Sequence, residues 1–220
     1  MKQLFIQNRY FIIPQLIFVL VGTVLLLSFS KTDLHIQINE LNSSWLDTFF
    51  RFLTYLGSGY IYIPVLLILF NKEIKWLILY LLSLASSNLL LLIFKQVIFA
   101  DFNRPVQYFA LNSNYKLHLV EGVDMHHFYS FPSGHTTTAF MVFFFLAILS
   151  RSNVLKFILF VIALLTAYSR VYLSQHFFED IVAGSILGTG TVLLSYYILH
   201  FWKKEWMNKN FKQYIFHKNK

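Results

Sequence analysis

The sequence predicts an all-α membrane protein with six transmembrane helices, and three observations support this fold class. Apolar residues fill 57% of the 220 positions and charged residues only 13%, about half the charged share of a typical soluble domain. Phe alone occurs 25 times, while only 8 Gly and 4 Pro interrupt the apolar sequence. Six charge-poor stretches approach the length of about 20 residues that a helix needs to cross a bilayer. These features disfavour soluble, disordered and coiled-coil proteins, and the length allows one membrane-embedded domain covering residues 1–220.

The six predicted spans follow one another from one end of the chain to the other. They cover residues 10–28, 53–70, 76–94, 133–150, 157–173 and 181–202. The second has an insecure start because a Gly-Ser-Gly sequence occupies positions 57–59, and the fifth reaches full length only by passing Arg170. The first span follows two cations, as the apolar region of a signal peptide does. Its apolar run is longer than a typical signal sequence, so we expect an uncleaved anchor.

Basic residues are concentrated at one end of these spans. Six spans put both termini on the same side, and that side carries twelve cations: Lys2, Arg9, Lys72, Lys75, Arg151, Lys156 and the six lysines between positions 203 and 220. The positive-inside rule therefore predicts that both termini are cytoplasmic. The two long loops, 29–52 and 96–132, are expected on the outer side.

Two segments outside the predicted spans combine aromatic residues with a position at the membrane boundary. Trp45, Phe49, Phe50 and Leu53 recur at helical spacing. This pattern fits an amphipathic helix in the interface and equally an early start of the second span. The basic tail 203–220 contains four aromatic residues. It is expected either to rest on the inner leaflet or to be solvated.

Charged and histidine side chains at the ends of apolar helices are costly, so each one prompts a functional hypothesis. Here they form three groups, and the six-span topology places all three at the outer face. The groups are Lys95 with Asn103-Arg104-Pro105, then Phe131-Pro132-Ser133-Gly134-His135, then Ser169-Arg170 with His176 and Asp180.

This outer face carries the groups that bind a phosphate ester. Lys95, Arg104 and Arg170 supply three cations for a dianion, and the two arginines offer bidentate geometry. Ser133 and Gly134 open a helix whose free backbone amides can bind phosphate oxygens. Gly134 also lets the backbone approach the ligand closely.

Two histidines complete the predicted site. His176 and Asp180 are four residues apart, so on a helix the carboxylate reaches one ring nitrogen and leaves the other as a nucleophile. His135 is a second imidazole, available to protonate a leaving oxygen. Taken singly, each group also has a structural explanation, such as a lysine at a helix end or a buried His–Asp pair. Taken together, they indicate phosphoryl transfer without a metal.

The same residues resemble the three signature motifs of the type-2 phosphatidic acid phosphatase superfamily, relatives of the vanadium haloperoxidases. Its Pro-Ser-Gly-His motif stands at 132–135, and its Ser-Arg-x5-His-x3-Asp motif is intact at 169–180. The Lys-x6-Arg-Pro motif departs from the pattern, because eight residues separate Lys95 from Arg104. Either this segment bulges or Lys95 is not a phosphate ligand. The resemblance covers roughly residues 76–202.

The resemblance implies the superfamily's helical core and a role for each residue of the site. His176 would attack phosphorus, Asp180 would orient it, and His135 would protonate the leaving group and then activate water. No metal or cofactor is implied. The phosphate-binding residues would be Lys95, Arg104, Ser133, Gly134 and Arg170.

The predicted function is hydrolysis of a lipid phosphate monoester or terminal pyrophosphate at the outer face of a bacterial inner membrane. The lengthened first motif and the aromatic loop 106–131 resemble bacterial members that act on lipid A or on polyprenyl phosphates, which favours lipid A or undecaprenyl diphosphate. Phosphatidylglycerol phosphate and phosphatidic acid are alternative substrates. The partners predicted are the lipid substrate and the bilayer, and no nucleic acid.

Other classes of function fit the same sequence less well than a phosphatase. A lipid-to-lipid phosphotransferase would use the same phosphohistidine but require an acceptor. The hydropathy argues against a haloperoxidase, and a transporter or an inactive relative has no need of both active-site histidines. A metal site in the outer loop is a minor alternative, using His118, Asp124, His126 and His127.

Overall fold

The computed structural model of the protein describes residues 2–202 and 204–216. In this part of the chain the regular elements are helices, with one isolated bridge between Glu73 and Asn210. The α-helices are α1 (Lys2–Gln7), α2 (Arg9–Ser28), α3 (Lys31–Glu40), α4 (Ser44–Leu53), α5 (Tyr62–Leu69), α6 (Ile74–Ile93), α7 (Pro105–Asn112), α8 (Gly134–Leu149), α9 (Asn153–Tyr172), α10 (Phe178–Phe201) and α11 (Phe211–Phe216). Shorter 3₁₀ turns occupy Thr54–Gly57, Gly59–Ile61 and Glu205–Asn208, and a π-helical turn occupies Phe94–Ile98.

Four helical segments of the described chain are long and apolar enough to cross a membrane individually, namely α2, Ile74–Ile98, α9 and α10. The pair Ser44–Gly57 and Gly59–Leu69 is a fifth candidate, bent by 58°. Helix α8 is apolar but has only 16 residues. The predicted multi-pass helical fold is confirmed, while the count of six spans stays a prediction.

The predicted second span, 53–70, is broken in the structure. Helix α4 ends at Leu53, two 3₁₀ turns follow, and α5 begins at Tyr62. The Gly-Ser-Gly sequence lies at the break, where glycines weaken a continuous helix. Helix α4 is amphipathic, with Phe50 buried and Trp45 68% exposed. It continues through the first 3₁₀ turn to Gly57, so an interfacial helix and an early start of a bent second span both stay predictions.

Helix α8 forms the centre of the core. Most of its side chains are buried, and the ring of Phe144 lies 5.1 Å from that of Phe11 on α2. Glycines of α10 allow that helix to pack closely against α8. A Cβ atom at Gly184 would come within 2.8 Å of the Ser133 carbonyl oxygen, and Gly188 faces α8 in a similar way. Small residues at such contacts let membrane helices approach each other.

Helix α2 shows how the outer helices divide between lipid and core. Leu20 and Leu27 are 66% and 83% exposed, which suits a lipid-facing surface. Gln15 points inward, where its side-chain amide donates to the Ser185 carbonyl and its oxygen accepts from Thr189, both at 2.9 Å. A polar group within a span is thus satisfied by the neighbouring helix.

The described part of the basic tail, 204–216, packs back onto the turn between α5 and α6. The amide of Ile74 donates to the Lys209 carbonyl at 3.0 Å, and the amide of Phe211 donates to the Lys72 carbonyl at 2.9 Å. The described tail is thus attached to the helical core, and its predicted contact with the inner leaflet stays a prediction. The tail positions that lie outside the described residues are Lys203 and 217–220.

The segment between α2 and α4 contains a helix that the sequence did not predict, and this helix supports the link between α9 and α10. From α3, an imidazole nitrogen of His35 lies 3.1 Å from the Ser174 hydroxyl. The Asn39 side chain donates to that hydroxyl at 3.3 Å and to the His118 carbonyl at 2.9 Å. Because Ser174 lies within the third sequence motif, between Arg170 and His176, α3 holds this part of the chain in place.

Candidate active site

The third motif places a histidine and a carboxylate side by side. His176 lies in the link between α9 and α10, and Asp180 lies in the first turn of α10. The Nδ1 atom of His176 is 3.0 Å from Oδ2 of Asp180, and the two residues are 1% and 0% exposed. Because Nδ1 is used in this pair, Nε2 is the ring nitrogen left for chemistry.

The Asp180 carboxylate is held by more groups than the sequence indicated. Its Oδ2 atom also accepts hydrogen bonds from the Ser130 hydroxyl at 2.5 Å and from the Phe177 amide at 3.0 Å. Such contacts fix the orientation of the carboxylate and, through it, that of the imidazole. Ser130 is buried and was missed because no motif marks it. The only hint is its position just before the second motif.

The second motif begins helix α8. Ser133 is the N-cap residue, whose hydroxyl accepts from the Thr136 amide at 3.4 Å. The amides of Gly134 and His135 stand in the first turn, where a helix has no carbonyl partner for them, so they suit an anion. The Ser133 amide donates to the Asp180 carbonyl at 3.1 Å, which joins the second and third motifs.

Lys95 reaches the same end of the molecule despite the lengthened first motif. It lies in the π-helical turn Phe94–Ile98, and such a turn absorbs an additional residue in a helix. Its Nζ donates to the Tyr129 carbonyl at 2.5 Å and to the Ser130 carbonyl at 3.4 Å. A Cβ atom built at Gly134 would lie 4.0 Å from Cε of Lys95. The turn thus accommodates one of the two additional residues of the motif, and the role of Lys95 as a phosphate ligand stays a prediction.

The two arginines are positioned by residues that the sequence analysis did not identify. Arg170 donates to the Thr54 hydroxyl at 2.6 Å, and Arg104 donates to the Phe128 carbonyl at 2.9 Å. The side-chain oxygen of Gln175 lies 3.4 Å from a guanidinium nitrogen of each arginine. Within the described chain, Nε of Arg170 is buried without a hydrogen-bond partner. A donor in this condition suits an oxygen of a bound ligand.

The surroundings of His176 favour its neutral form. Burial, followed by the charges of Arg104, Lys95 and Arg170, lowers the pKa of His176 well below its ordinary value of 6.5. A neutral imidazole is the form that acts as a nucleophile. His135 interacts electrostatically with the same three cations, so the second imidazole faces the same region.

The structure thus brings all eight predicted site residues to one end of the helices. Their catalytic and binding roles stay predictions. The eight residues are Lys95, Arg104, Ser133, Gly134, His135, Arg170, His176 and Asp180.

Two other histidines, in the loop between α7 and α8, have separate surroundings. Nε2 of His118 lies 3.0 Å from the Asp47 carboxylate. Nδ1 of His127 lies 3.1 Å from the side-chain oxygen of Gln107. Among the described residues, no group of three or more His, Asp or Glu side chains is placed to hold a metal ion.

A bundle of apolar helices thus carries a buried His–Asp pair, a second imidazole and three cations at one end, which is the arrangement that the three motifs predicted. The chain belongs to the PAP2 superfamily, whose sequence profile matches residues 76–204, more than half of its length. This match confirms the family that the motifs indicated.

Individual relatives agree with this assignment. A Lipid A 4′-phosphatase from Bacteroides thetaiotaomicron is 36% identical over 72 residues, a stretch that covers 33% of this chain and 32% of that relative. The crystal structure of Aquifex aeolicus LpxE has a TM-score of 0.64 and 30% identity, and the match covers 76% of this chain and 94% of that one.

A second solved structure supports the fold alone. It is a transmembrane PAP2-type phosphatidylglycerolphosphate phosphatase from Bacillus subtilis, with a TM-score of 0.61 and 24% identity. The match covers 89% of this chain and 99% of that one. The helical architecture therefore extends beyond the residues of the family profile.

Proposed function

We propose that this protein is a membrane lipid phosphatase that hydrolyses a phosphate monoester or terminal pyrophosphate through a phosphohistidine intermediate. The observation that carries the proposal is the buried His176–Asp180 pair, with Nδ1 of the imidazole held by the carboxylate. Three cations surround the same imidazole. One membrane-embedded domain, 1–220, would contain the whole site.

In the first step, Nε2 of His176 attacks phosphorus and the bond from phosphorus to the leaving oxygen breaks. His135 gives its proton to that oxygen, which departs as the lipid alcohol or the shortened lipid phosphate. Asp180 stabilises the positive charge that develops on the attacking ring. The carboxylate is fixed for this purpose by its contacts with Ser130 and Phe177.

In the second step, a water molecule attacks the phosphohistidine and His135 accepts a proton from it. The bond between phosphorus and Nε2 breaks, inorganic phosphate leaves, and His176 is regenerated. A general acid that returns as a base typically contributes about 100-fold to 10,000-fold in rate.

The cations and helix-end amides would bind the phosphoryl oxygens in both steps. Lys95, Arg104 and Arg170 neutralise the dianion, and the unpartnered Nε of Arg170 supplies a donor. The amides at the start of α8, from Gly134 onward, provide further donors directed at the ligand. Fixed donors of this kind stabilise charge on the transferred group without reorganisation during the reaction.

The preferred substrates in this proposal are lipid A and undecaprenyl diphosphate. The sequence match to a Lipid A 4′-phosphatase supports the first of these. A site at the ends of apolar helices suits a lipid whose phosphate lies at headgroup level while its acyl chains stay in the bilayer.

The proposed location is the bacterial inner membrane, with both termini in the cytoplasm and the site facing the exterior. The end of the molecule opposite the site carries Lys72, Lys75, Arg151 and Lys156. This distribution follows the positive-inside rule and supports the orientation.

The test is release of inorganic phosphate by detergent-purified protein from lipid A, undecaprenyl diphosphate, phosphatidylglycerol phosphate and phosphatidic acid. Each assay is repeated with a metal chelator. We expect release from one lipid, unaffected by chelation. His176→Ala should abolish release while the protein keeps its elution volume in size-exclusion chromatography. His200→Ala, which removes an imidazole from the opposite end of α10, is the matched control and should keep full activity.

Full activity of His176→Ala would contradict the proposed mechanism. In a different outcome, the substrate lipid loses its phosphate only when a second lipid is present, with no release of inorganic phosphate. That result would identify a lipid-to-lipid phosphotransferase that uses the same histidine.

A further inference from the structure

The outer loop between α7 and α8 crosses the two arginines of the site, and Gln175 fixes it there. The side-chain nitrogen of Gln175 donates to the Asp124 carbonyl at 3.1 Å and contacts the sulfur of Met125 at 3.0 Å. The oxygen of the same buried side chain faces Arg104 and Arg170. One residue therefore ties the loop to both guanidinium groups.

Arg104 fixes the same loop a few residues further on. Its amide donates to the His127 carbonyl at 2.8 Å, and its Nε donates to the Phe128 carbonyl at 2.9 Å. The backbone is thus anchored on both sides of His126, the residue between the two attachment points. Anchors this close leave the loop little freedom to move His126 away from the arginines.

The side chain of His126 is exposed, yet it lies within the field of the site. Partial burial, followed by the charges of Arg104 and Arg170, lowers the pKa of its imidazole. The titratable groups that interact electrostatically with His126 are Arg104, Arg170, Asp124, His127 and His135. The hydrogen bonds of Gln175 and Arg104 hold residue 126 beside both phosphate-binding arginines, and its imidazole interacts electrostatically with them and with the proposed acid.

We infer that His126 is a further substrate-contacting residue, whose ring N–H donates to an oxygen of the bound phosphoryl group from the outer side of the site. This inference rests on the proposed phosphatase function. Lys95 and Arg170 belong to helical segments, and His126 would reach the phosphoryl group from the loop. A neutral imidazole always carries one N–H donor.

The neighbouring histidine provides a matched comparison. His127 directs its imidazole to Gln107 rather than to the arginines. It contributes only a backbone carbonyl to the anchoring of the loop, and alanine retains that carbonyl. Both variants remove an imidazole from the same exposed loop. A difference in phosphate affinity between them therefore comes from the position of His126 and not from the loss of a histidine as such.

The experiment measures equilibrium binding of inorganic phosphate, the reaction product, by isothermal titration calorimetry of the full chain in detergent at neutral pH. Loss of a hydrogen bond to a charged group should weaken phosphate binding by about 10-fold or more in His126→Ala. His126→Gln, which keeps an N–H donor, should recover part of this loss. His127→Ala should bind phosphate as the unaltered protein does.

Equal phosphate affinity in His126→Ala and the unaltered protein would overturn the inference and leave the proposed function intact. Equal weakening in His127→Ala would overturn it as well, because the effect would then belong to the loop in general. Absence of both phosphate binding and lipid phosphate hydrolysis in the unaltered protein would instead overturn the phosphatase proposal, and this inference with it.

Discussion

A methyl group added at Gly57 provides a sharp test of how the broken helix pair supports the site. Gly57 lies against the first turn of α8, and a Cβ atom there would be 2.7 Å from the His135 carbonyl oxygen and 2.9 Å from its Cβ. Contacts under 3.0 Å require the neighbouring atoms to move, and the nearest atom here belongs to the backbone, which moves less easily than a flexible side chain. Gly57→Ala must therefore push His135 away until the oxygen is at least about 3.4 Å from the new methyl group.

We expect Gly57→Ala to lower the free energy of unfolding by about 1–3 kcal/mol, the usual range for overpacking. It should also reduce kcat by about tenfold or more, because small displacements of a catalytic group are costly. Phosphate release and thermal unfolding in detergent measure the two effects. Gly59→Ala is the matched control, since its nearest neighbour is the Tyr62 ring at 3.8 Å, and it should change kcat by less than about twofold.

Full activity and unchanged thermal unfolding in Gly57→Ala would refute this account of how His135 is positioned. A similar loss in Gly59→Ala would also refute it, because the effect would then come from any change in the broken span.

Three further predictions concern other contacts of the site. Thr54→Val removes the hydroxyl that accepts a hydrogen bond from Arg170 and should lower kcat/KM by about tenfold or more. Thr48→Val, on the exposed surface of α4, is the control and should leave kcat/KM unchanged. Burial lowers the pKa of His35 from 6.5 to about 4. The contribution of His35 to the free energy of unfolding is therefore fully present above pH 6.5, where the ring is neutral. It falls by about 3 kcal/mol as the pH falls from 6.5 to 4. His35→Gln should flatten that part of the unfolding profile measured against pH. Glu179→Gln breaks a partly exposed ion pair of 3.8 Å and should change stability by less than about 1 kcal/mol, as denaturant unfolding will show.

Hydropathy predicted the long helices closely because lipid exposure requires continuous apolar sequence. The first predicted span, 10–28, corresponds to α2 (Arg9–Ser28). The second did not correspond to one helix, since composition alone does not show whether the Gly-Ser-Gly sequence bends a span or interrupts it. Helix α3 was missed because it is short and polar, with no sustained apolar face.

The site residues with a marked chemical pattern were found from the sequence, and those defined by tertiary contacts were not. His176 and Asp180 are four residues apart, so their pairing could be anticipated, but His176 precedes α10 and does not share a helix with Asp180. Thr54 lies more than one hundred positions from Arg170, and nothing near it in the sequence indicates that contact. Ser130 likewise acts through a fold-dependent hydrogen bond to Asp180.

The spacing of the first motif illustrates the same limit. Eight residues between Lys95 and Arg104 gave two alternatives, because a count of residues does not report the local winding of the backbone. The π-helical turn Phe94–Ile98 resolves the geometry by absorbing length at the end of α6. Lys95 consequently lies beside Gly134.

The most direct test of the central claim is detection of the phosphohistidine itself. The unaltered protein is mixed with a ³²P-labelled lipid phosphate, quenched in alkali within a single turnover, digested and mapped by mass spectrometry. We predict that label appears on His176, because the phosphohistidine forms before water attacks it, and that no label appears in His176→Ala. Hydrolysis without a labelled His176, or label that persists in His176→Ala, would contradict the mechanism.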